Sequence, residues 1–134
     1  MLRALLFELE DTLTRRDPED GLALASTTHA LLDALRDRGL ALGLVAGDVE
    51  PAELAERFDT VAPAPAEALE RLAVEPADAL YVGASAAGLR TAGGLGLATV
   101  QAFWFRADDG GEPAHEAFTQ MDVLNVADRL ARPD

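Results

Sequence analysis

The sequence predicts an α/β domain, a single-domain doubly wound parallel sheet of about five strands with helices on both faces. Apolar runs of strand length alternate with segments of helical periodicity along the whole chain. The connections between them are about two to six residues long, as is usual in such sheets. The 134 residues suit one domain, and we find no repeat or linker that would divide residues 1–134.

Five short apolar segments are predicted as strands. Most are continuous apolar runs, which is typical of strands buried on both faces of a parallel sheet. Gly47 and Gly83 follow two of them and mark points where the chain leaves the sheet. The strands are predicted at residues 4–9, 40–46, 60–62, 79–82 and 97–102.

Five further segments are predicted as helices. In the first, Leu31, Ala34 and Leu35 recur at helical spacing, and Gly39 follows as a stop signal. The pair at 93–94, both glycine, is predicted to end the fourth helix. Four of the helices are predicted at residues 27–38, 51–58, 85–92 and 123–130, and another follows Pro65 and ends at Arg71. Polar, irregular loops are predicted at residues 12–26 and 103–113.

The composition excludes several functional classes. The net charge of −13 would be repelled by nucleic acid phosphates and by anionic lipid surfaces. All 11 basic residues are arginine, so mechanisms that require a lysine are excluded. The absence of cysteine excludes disulfides, thiolate nucleophiles and cysteine-ligated metals.

The composition also bears on where the protein is found. No apolar run approaches the ~20 residues of a membrane span, and the first residues make a poor signal peptide. We therefore expect a cytoplasmic protein without membrane or nucleic-acid partners. The abundance of Ala, Leu, Arg and Gly, with no isoleucine, suggests a GC-rich bacterial genome.

Carboxylates follow the first two predicted strands. Glu8 and Glu10 lie at the end of the first strand, and Asp48 follows the second. In doubly wound sheets the functional residues gather at the carboxyl ends of the strands. These residues are therefore the first candidates for a site.

Several segments around these strand ends, among them FELEDTL at residues 7–13 and LYVGAS at residues 80–85, resemble the haloacid dehalogenase (HAD) superfamily. Residues 7–13 read FELEDTL and resemble the first motif, F-D-L-D-G-T-L, and residues 31–40 are similar to the helix before the family's second strand. Residues 58–61 (FDTV) resemble the segment before the third motif, and residues 80–85 (LYVGAS) the fourth, Y-V-G-D-S. Residues 92–100 are similar to the segment that follows it. The resemblance implies a HAD-type, Rossmann-like core.

The six polar positions of the family pattern are all altered. The resemblance places Glu8 at the position of the nucleophilic aspartate and Glu10 at that of the acid/base aspartate. The other four positions carry no polar side chain: Ala46 replaces a Ser or Thr, Ala62 a lysine, and Ala84 and Gly88 the magnesium-binding carboxylates. Phosphoryl transfer depends on positioning and charge neutralisation, so we expect a degenerate site.

Three interpretations of Glu8 and Glu10 remain open. They are solvated carboxylates at a strand end, part of a residual cation site that also draws on Asp11 or Asp48, or catalytic groups. We expect no cofactor, or Mg²⁺ held by Glu8 and Glu10 if activity remains. The expected function is a non-catalytic binding or assembly protein, a pseudo-phosphatase. The alternative is a weakly active Mg²⁺-dependent phosphatase or hydrolase that uses Glu8 and Glu10.

Two features point to association with another chain. Residues 12–26 are too few for the cap domain that many HAD proteins insert there, so we expect a capless core with an open pocket. Phe103, Trp104 and Phe105 concentrate aromatic residues beyond the fifth strand. They either cover the sheet edge or form a surface for a homo-oligomer or protein partner.

Overall fold

The computed structural model describes residues 1–17, 21–24, 26–49, 51–105 and 107–131. Its main sheet contains β1 (Ala4–Glu8), β4 (Ala41–Val45), β5 (Thr60–Ala62), β6 (Ala79–Gly83), β7 (Ala98–Ala102) and β8 (His115–Ala117). These strands are all parallel and lie in the order β5-β4-β1-β6-β7-β8. After β1 the chain adds β4 and β5 on one side of it, and then returns to add β6, β7 and β8 on the other side. Between β1 and β6 the order reverses, which is where such sheets bind ligands.

Four α-helices cover the sheet. They are α1 (Ser26–Asp37), α2 (Pro65–Leu72), α3 (Ala86–Leu95) and α4 (Gln120–Ala131). Leu5 and Phe7 of β1 belong to the core cluster under α1 and α4, whereas Leu6 belongs to the cluster under α2 and α3. Because successive side chains of a strand point to opposite faces, the continuous apolar run of β1 fills both cores. The prediction of helices on both faces is confirmed.

The sheet has six strands, not about five. The additional strand, β8, pairs with β7 at the edge of the sheet, and only Ala117 of its three residues is buried. A strand this short has too little apolar patterning to be recognised in the sequence. It forms because the ladder of β7 offers it backbone partners.

The prediction of an irregular loop at residues 12–26 is also wrong in part. Two strands, β2 (Thr14–Asp17) and β3 (Gly21–Leu24), pair antiparallel, with Thr14 opposite Leu24 and Asp17 opposite Gly21. Residues 18–20, between the two strands in sequence, lie outside the described residues. The sequence of β2 is polar throughout, so its pairing leaves no periodic signal.

Helix α3 continues past the glycine pair that was predicted to end it. It runs to Leu95, and the left-handed cap is Gly96, with φ of 99°. Gly93 and Gly94 are exposed and lie in its last turn. Leu89 and Ala92 bury the opposite side of the helix, and this packing outweighs the roughly 1 kcal/mol that a glycine costs a helix interior. Residues 51–58, predicted as a helix, form a 3-10 helix over Ala52–Arg57.

Candidate functional site at the carboxyl edge of the sheet

A cleft of about 540 Å³ opens at the carboxyl ends of β1, β4 and β6. Glu8, Glu10, Ala46 and Gly88 line it, together with Asp48. The sheet thus brings four of the six motif positions to one cavity, as their positions after parallel strands predict. Ala62 and Ala84 are buried at the ends of β5 and β6 and are not among its lining residues.

Backbone hydrogen bonds hold these strand ends in register. The Leu9 N–H donates to the carbonyl of Val45 at 3.1 Å, and the Ala46 N–H donates to the carbonyl of Ala62 at 3.0 Å. The frame of the site therefore depends on main-chain groups. The loss of polar side chains at positions 46 and 62 leaves this frame in place.

The Glu8 carboxylate accepts three hydrogen bonds from the chain itself. Its Oε2 accepts from the Tyr81 hydroxyl at 2.6 Å and from the Ser85 hydroxyl at 2.8 Å, and its Oε1 accepts from the Ser85 N–H at 3.1 Å. Glu8 is half-buried, whereas Glu10 is exposed. The interpretation of Glu8 as a freely solvated carboxylate is therefore wrong, because its partners are protein groups.

Tyr81 is the buried donor of this network. It is only 1% exposed, and burial, together with the charge of Glu8 and its hydrogen bond, raises the pKa of the hydroxyl far above its ordinary range. The hydroxyl therefore stays protonated and remains a donor to the carboxylate. The sequence analysis did not select Tyr81. The available signal was its position two residues before Gly83, at the end of a buried strand.

Two glycines leave room for the Glu8 side chain. A Cβ at position 88 would lie 2.3 Å from the Glu8 Oε2, and a Cβ at position 83 would lie 3.0 Å from the same oxygen. A carboxylate of this length, folded over the end of β6, thus requires small residues at both positions. Gly88 is also the position at which the family pattern carries a carboxylate.

The first turn of α3 is capped by side chains of the chain itself. The Ser85 Oγ accepts from the Gly88 N–H at 3.1 Å, and the Asp108 carboxylate accepts from the Ala86 N–H at 3.2 Å. Gln101, which is buried, holds the segment of Asp108 in place by donating to the carbonyls of Ala84 and Asp108. Gln101 and Asp108 were missed because no sequence pattern indicates that their side chains reach the carbonyl of Ala84 and the start of α3.

A tight turn after β1 sets the position of Glu10. Asp11 adopts a left-handed conformation with φ of 57°, and the Leu13 N–H donates to the carbonyl of Leu9 at 3.2 Å. Trp104 donates its indole N–H to the carbonyl of Thr12 at 2.7 Å. One of the three predicted interface aromatics therefore holds the turn that carries Glu10.

The remaining aromatics lie near an exposed apolar surface. Phe103 stacks on Phe118 with ring centroids 5.1 Å apart, and Phe118 is 62% exposed. Met121, 60% exposed, lies on the rim of a groove of about 270 Å³ between α1 and α4. Phe105 is half-buried.

The side chains of the cleft do not fit a magnesium ion. Within the described part of the chain, no group of three or more His, Cys, Asp or Glu side chains is placed to hold a metal. Magnesium requires near-octahedral oxygen ligation at about 2.0–2.1 Å. Ala84 and Gly88 offer no side-chain oxygen, and both oxygens of Glu8 accept hydrogen bonds.

No helix in the described residues is long and apolar enough to cross a membrane.

No protein-family model and no curated protein matches the chain, but solved structures do. A HAD phosphatase from Thermococcus onnurineus is 18% identical, with a TM-score of 0.79 over 93% of this chain and 97% of that one. A 2-haloacid dehalogenase from Pseudomonas syringae pv. tomato DC3000 is 16% identical, with a TM-score of 0.82 over 98% and 100%.

A third structure, CbbY from Rhodobacter sphaeroides in complex with phosphate, is 17% identical, with a TM-score of 0.74 over 92% of this chain and 96% of that one. These likenesses extend over nearly the whole chain at low sequence identity. The chain therefore has the fold of the haloacid dehalogenase superfamily.

Proposed function

We propose that this chain is a non-catalytic HAD-like domain, a pseudo-phosphatase of the bacterial cytoplasm that acts through binding or assembly. The proposal includes no nucleic-acid partner, because a net charge of −13 opposes contact with phosphate backbones. The composition is the basis for the assignment to a bacterial cytoplasm.

The hydrogen bonds of Glu8 are the main support for this proposal. A carboxylate that attacks phosphorus must direct an oxygen lone pair at the substrate. The Oε2 of Glu8 accepts two hydroxyl hydrogen bonds, and its Oε1 accepts from the Ser85 N–H. These donors stabilise the charge of the carboxylate and turn it toward the protein, which makes it a poor nucleophile.

The charges in the cleft are a second support. Glu8, Glu10 and Asp48 are the charged side chains among the described residues that line it, and all three are acidic. Two like charges 4 Å apart repel by about 4 kcal/mol at the effective dielectric constant near a protein surface. A phosphate group in this cleft would meet that repulsion, and the chain has no lysine to offset it.

The N-terminus of α3 gives a third support. Helix N-termini bind phosphate through free backbone N–H groups. Here the N–H groups of Ser85, Ala86 and Gly88 donate to Glu8, Asp108 and the Ser85 hydroxyl, respectively. The chain's own oxygen atoms thus take three of the N–H donors that a phosphate would use.

The test is phosphate release from a panel of phosphomonoesters and phosphopeptides, with and without Mg²⁺. We expect no release above the rate in buffer under either condition, and the same result for Glu8→Ala. Glu70→Ala, which removes an exposed carboxylate of α2 away from the cleft, is the matched control for surface charge. Thermal melts of both variants establish that they are folded.

The alternative is a weakly active Mg²⁺-dependent phosphatase or hydrolase that uses Glu8 and Glu10. The observation in its favour is that both residues line one open cleft and that Glu10 is exposed to it. Magnesium-dependent turnover that Glu8→Ala abolishes and Glu70→Ala preserves would establish this alternative and contradict the proposal.

Association is proposed to use the aromatic segment that the sequence analysis selected. Trp104 is engaged with the turn after β1. The surface therefore consists of the exposed Phe118 and Met121, together with the half-buried Phe103 on which Phe118 stacks. Large exposed apolar side chains that cluster are typical of interaction sites. A second copy of the chain is the simplest partner for this surface.

A further inference from the structure

We infer that Glu8 and Gly88 are a matched pair, in which the Glu8 carboxylate fills the space that a side chain at position 88 would occupy. The hydroxyls of Tyr81 and Ser85 donate hydrogen bonds to this carboxylate and so take the place of a metal ion beside it. The site would then be held together by internal hydrogen bonds and be stable without a divalent cation. This inference concerns how the site is built, and it holds whether or not a metal-independent reaction occurs there.

The first step of the argument is steric. A Cβ at position 88 would lie 2.3 Å from the Glu8 Oε2, 2.6 Å from the Tyr81 hydroxyl and 2.8 Å from the Ser85 Oγ. All three atoms are the ends of side chains, so a larger residue at 88 displaces the network without moving the backbone. The network and a side chain at position 88 therefore exclude each other.

The second step concerns lone pairs. A carboxylate oxygen has two lone pairs for hydrogen bonds or metal ligation. The Oε2 of Glu8 uses both, because it accepts from Tyr81 and from Ser85. A metal ion at this oxygen would have to displace a donor. The Tyr81 hydroxyl is buried, and Glu8 is its only hydrogen-bond partner among the described residues, so that displacement would leave a buried polar group unpaired.

The third step concerns position 84. Ala84 is 1% exposed, at the end of β6. Its carbonyl accepts hydrogen bonds from the Gln101 side chain at 3.2 Å and from the Asp108 N–H at 3.0 Å. The backbone oxygen at this strand end is thus occupied as well. The changes from the family pattern at 8 and 88 thus replace metal ligation with internal hydrogen bonding, and position 84 offers neither a side-chain oxygen nor a free carbonyl.

A double-mutant cycle tests the pairing. We expect Gly88→Ala to lower the melting temperature in the wild-type background. The fall in melting temperature should be smaller in the Glu8→Ala background, and smaller again in Glu8→Ala/Tyr81→Phe, because the two closest of the three clashing atoms are then gone and only the Ser85 Oγ remains. Gly94→Ala is the matched control, since a Cβ at this glycine of the same helix meets nothing within 4 Å. Its effect should be the same in every background.

The pairing would be overturned if Gly88→Ala lowered the melting temperature equally in wild type, Glu8→Ala and Glu8→Ala/Tyr81→Phe. It would also be overturned if Gly88→Ala alone were as stable as wild type. Circular dichroism of each variant separates local destabilisation from failure to fold. If Gly88→Ala does not fold, Gly88→Ala/Glu8→Ala still serves as the test, because the inference requires it to be more stable than Gly88→Ala alone.

A metal titration tests the second half of the inference. Calorimetry with MgCl₂ or MnCl₂ should detect no binding to the wild-type chain, and millimolar metal should leave its melting temperature unchanged. A ligand that binds only the folded state raises the melting temperature, so the triple variant Glu8→Asp/Ala84→Asp/Gly88→Asp should gain a metal-dependent rise. Wild-type binding that Glu8→Gln removes would overturn the inference. That result is distinguishable from failure of the proposed function, which is measured by turnover.

Discussion

At the residue scale, Tyr81 and Glu8 define the character of the site. The hydrogen bond of 2.6 Å between them joins a buried hydroxyl to a carboxylate that the motif comparison places at the nucleophile position. The sequence identified Glu8 because its position in the motif is recognisable. It did not identify Tyr81 as a partner, because the sequence pattern of β6 predicts only that this residue is buried in the core. Its hydroxyl can donate to Glu8 only when β1 and β6 lie side by side.

Tyr81→Phe tests this contact. Removing a hydrogen bond to a charged group costs about 1.5–3 kcal/mol, so we expect the free energy of unfolding to fall by about that amount, as measured by urea denaturation. The ring of phenylalanine still fills the buried space, so packing is retained. A variant as stable as wild type would show that the hydroxyl does not stabilise the fold.

The contact between Tyr81 and Glu8 also predicts that the stability of the fold depends on pH in the alkaline range. The pKa of Tyr81 is raised in the folded state above its ordinary value near 10. Unfolded chains therefore lose this proton at lower pH than folded chains do, and stability must fall as pH rises above about 10. Tyr81 is the only tyrosine. Urea denaturation of wild type and of Tyr81→Phe at increasing pH therefore isolates the contribution of its ionisation to the free energy of unfolding. The variant should lose less stability over this range, and parallel losses would contradict the assignment.

At the element scale, α3 links the cleft to the core. Its N-cap residue, Ser85, both accepts from the Gly88 N–H and donates to Glu8. A serine directly before a helix is a recognisable N-cap, and the prediction that the helix opens behind Gly83 is confirmed. The end of the helix was mispredicted, because tertiary packing of Leu89 and Ala92 overrides the local preference of two exposed glycines.

Replacing the cap residue tests the two roles of Ser85. Loss of a serine N-cap costs about 1 kcal/mol, and Ser85→Ala also removes a donor to Glu8, so we expect a loss of about 2 kcal/mol or more. Ser85→Thr keeps the hydroxyl and is the matched control, with a much smaller expected loss. Thermal or urea denaturation measures both, and an Ala variant no less stable than the Thr variant would contradict this account.

At the scale of the whole molecule, the sheet decides which surfaces remain free. Helices α1 and α4 cover one face and leave the groove that Met121 borders, and Phe118 lies beside it after the last strand. The net charge of −13 opposes association of two copies in general. Association therefore requires a surface on which apolar contact outweighs that repulsion.

Sedimentation velocity over a range of protein concentrations tests self-association. We expect concentration-dependent dimers that strengthen at high salt, because salt screens the like charges. Phe118→Ser should weaken association about tenfold or more, since truncating an interface aromatic costs roughly 1–2 kcal/mol or more. Leu95→Ser, at an exposed leucine of α3 on the opposite face, is the control and should leave association unchanged. A strictly monomeric wild-type chain at all concentrations would contradict self-association.

The sequence by itself determined the fold class, the placement of the motif positions at strand ends and the loss of the polar side chain at four of them. These follow from local information: apolar periodicity, cap residues and residue type. Only the tertiary structure decided that Glu8 is bound to Tyr81 and Ser85, that Gly88 makes room for it, and that Gln101 and Asp108 secure the start of α3. These contacts join residues of different strands and loops, and hydrogen-bond geometry across a sheet exists only after the strands have paired.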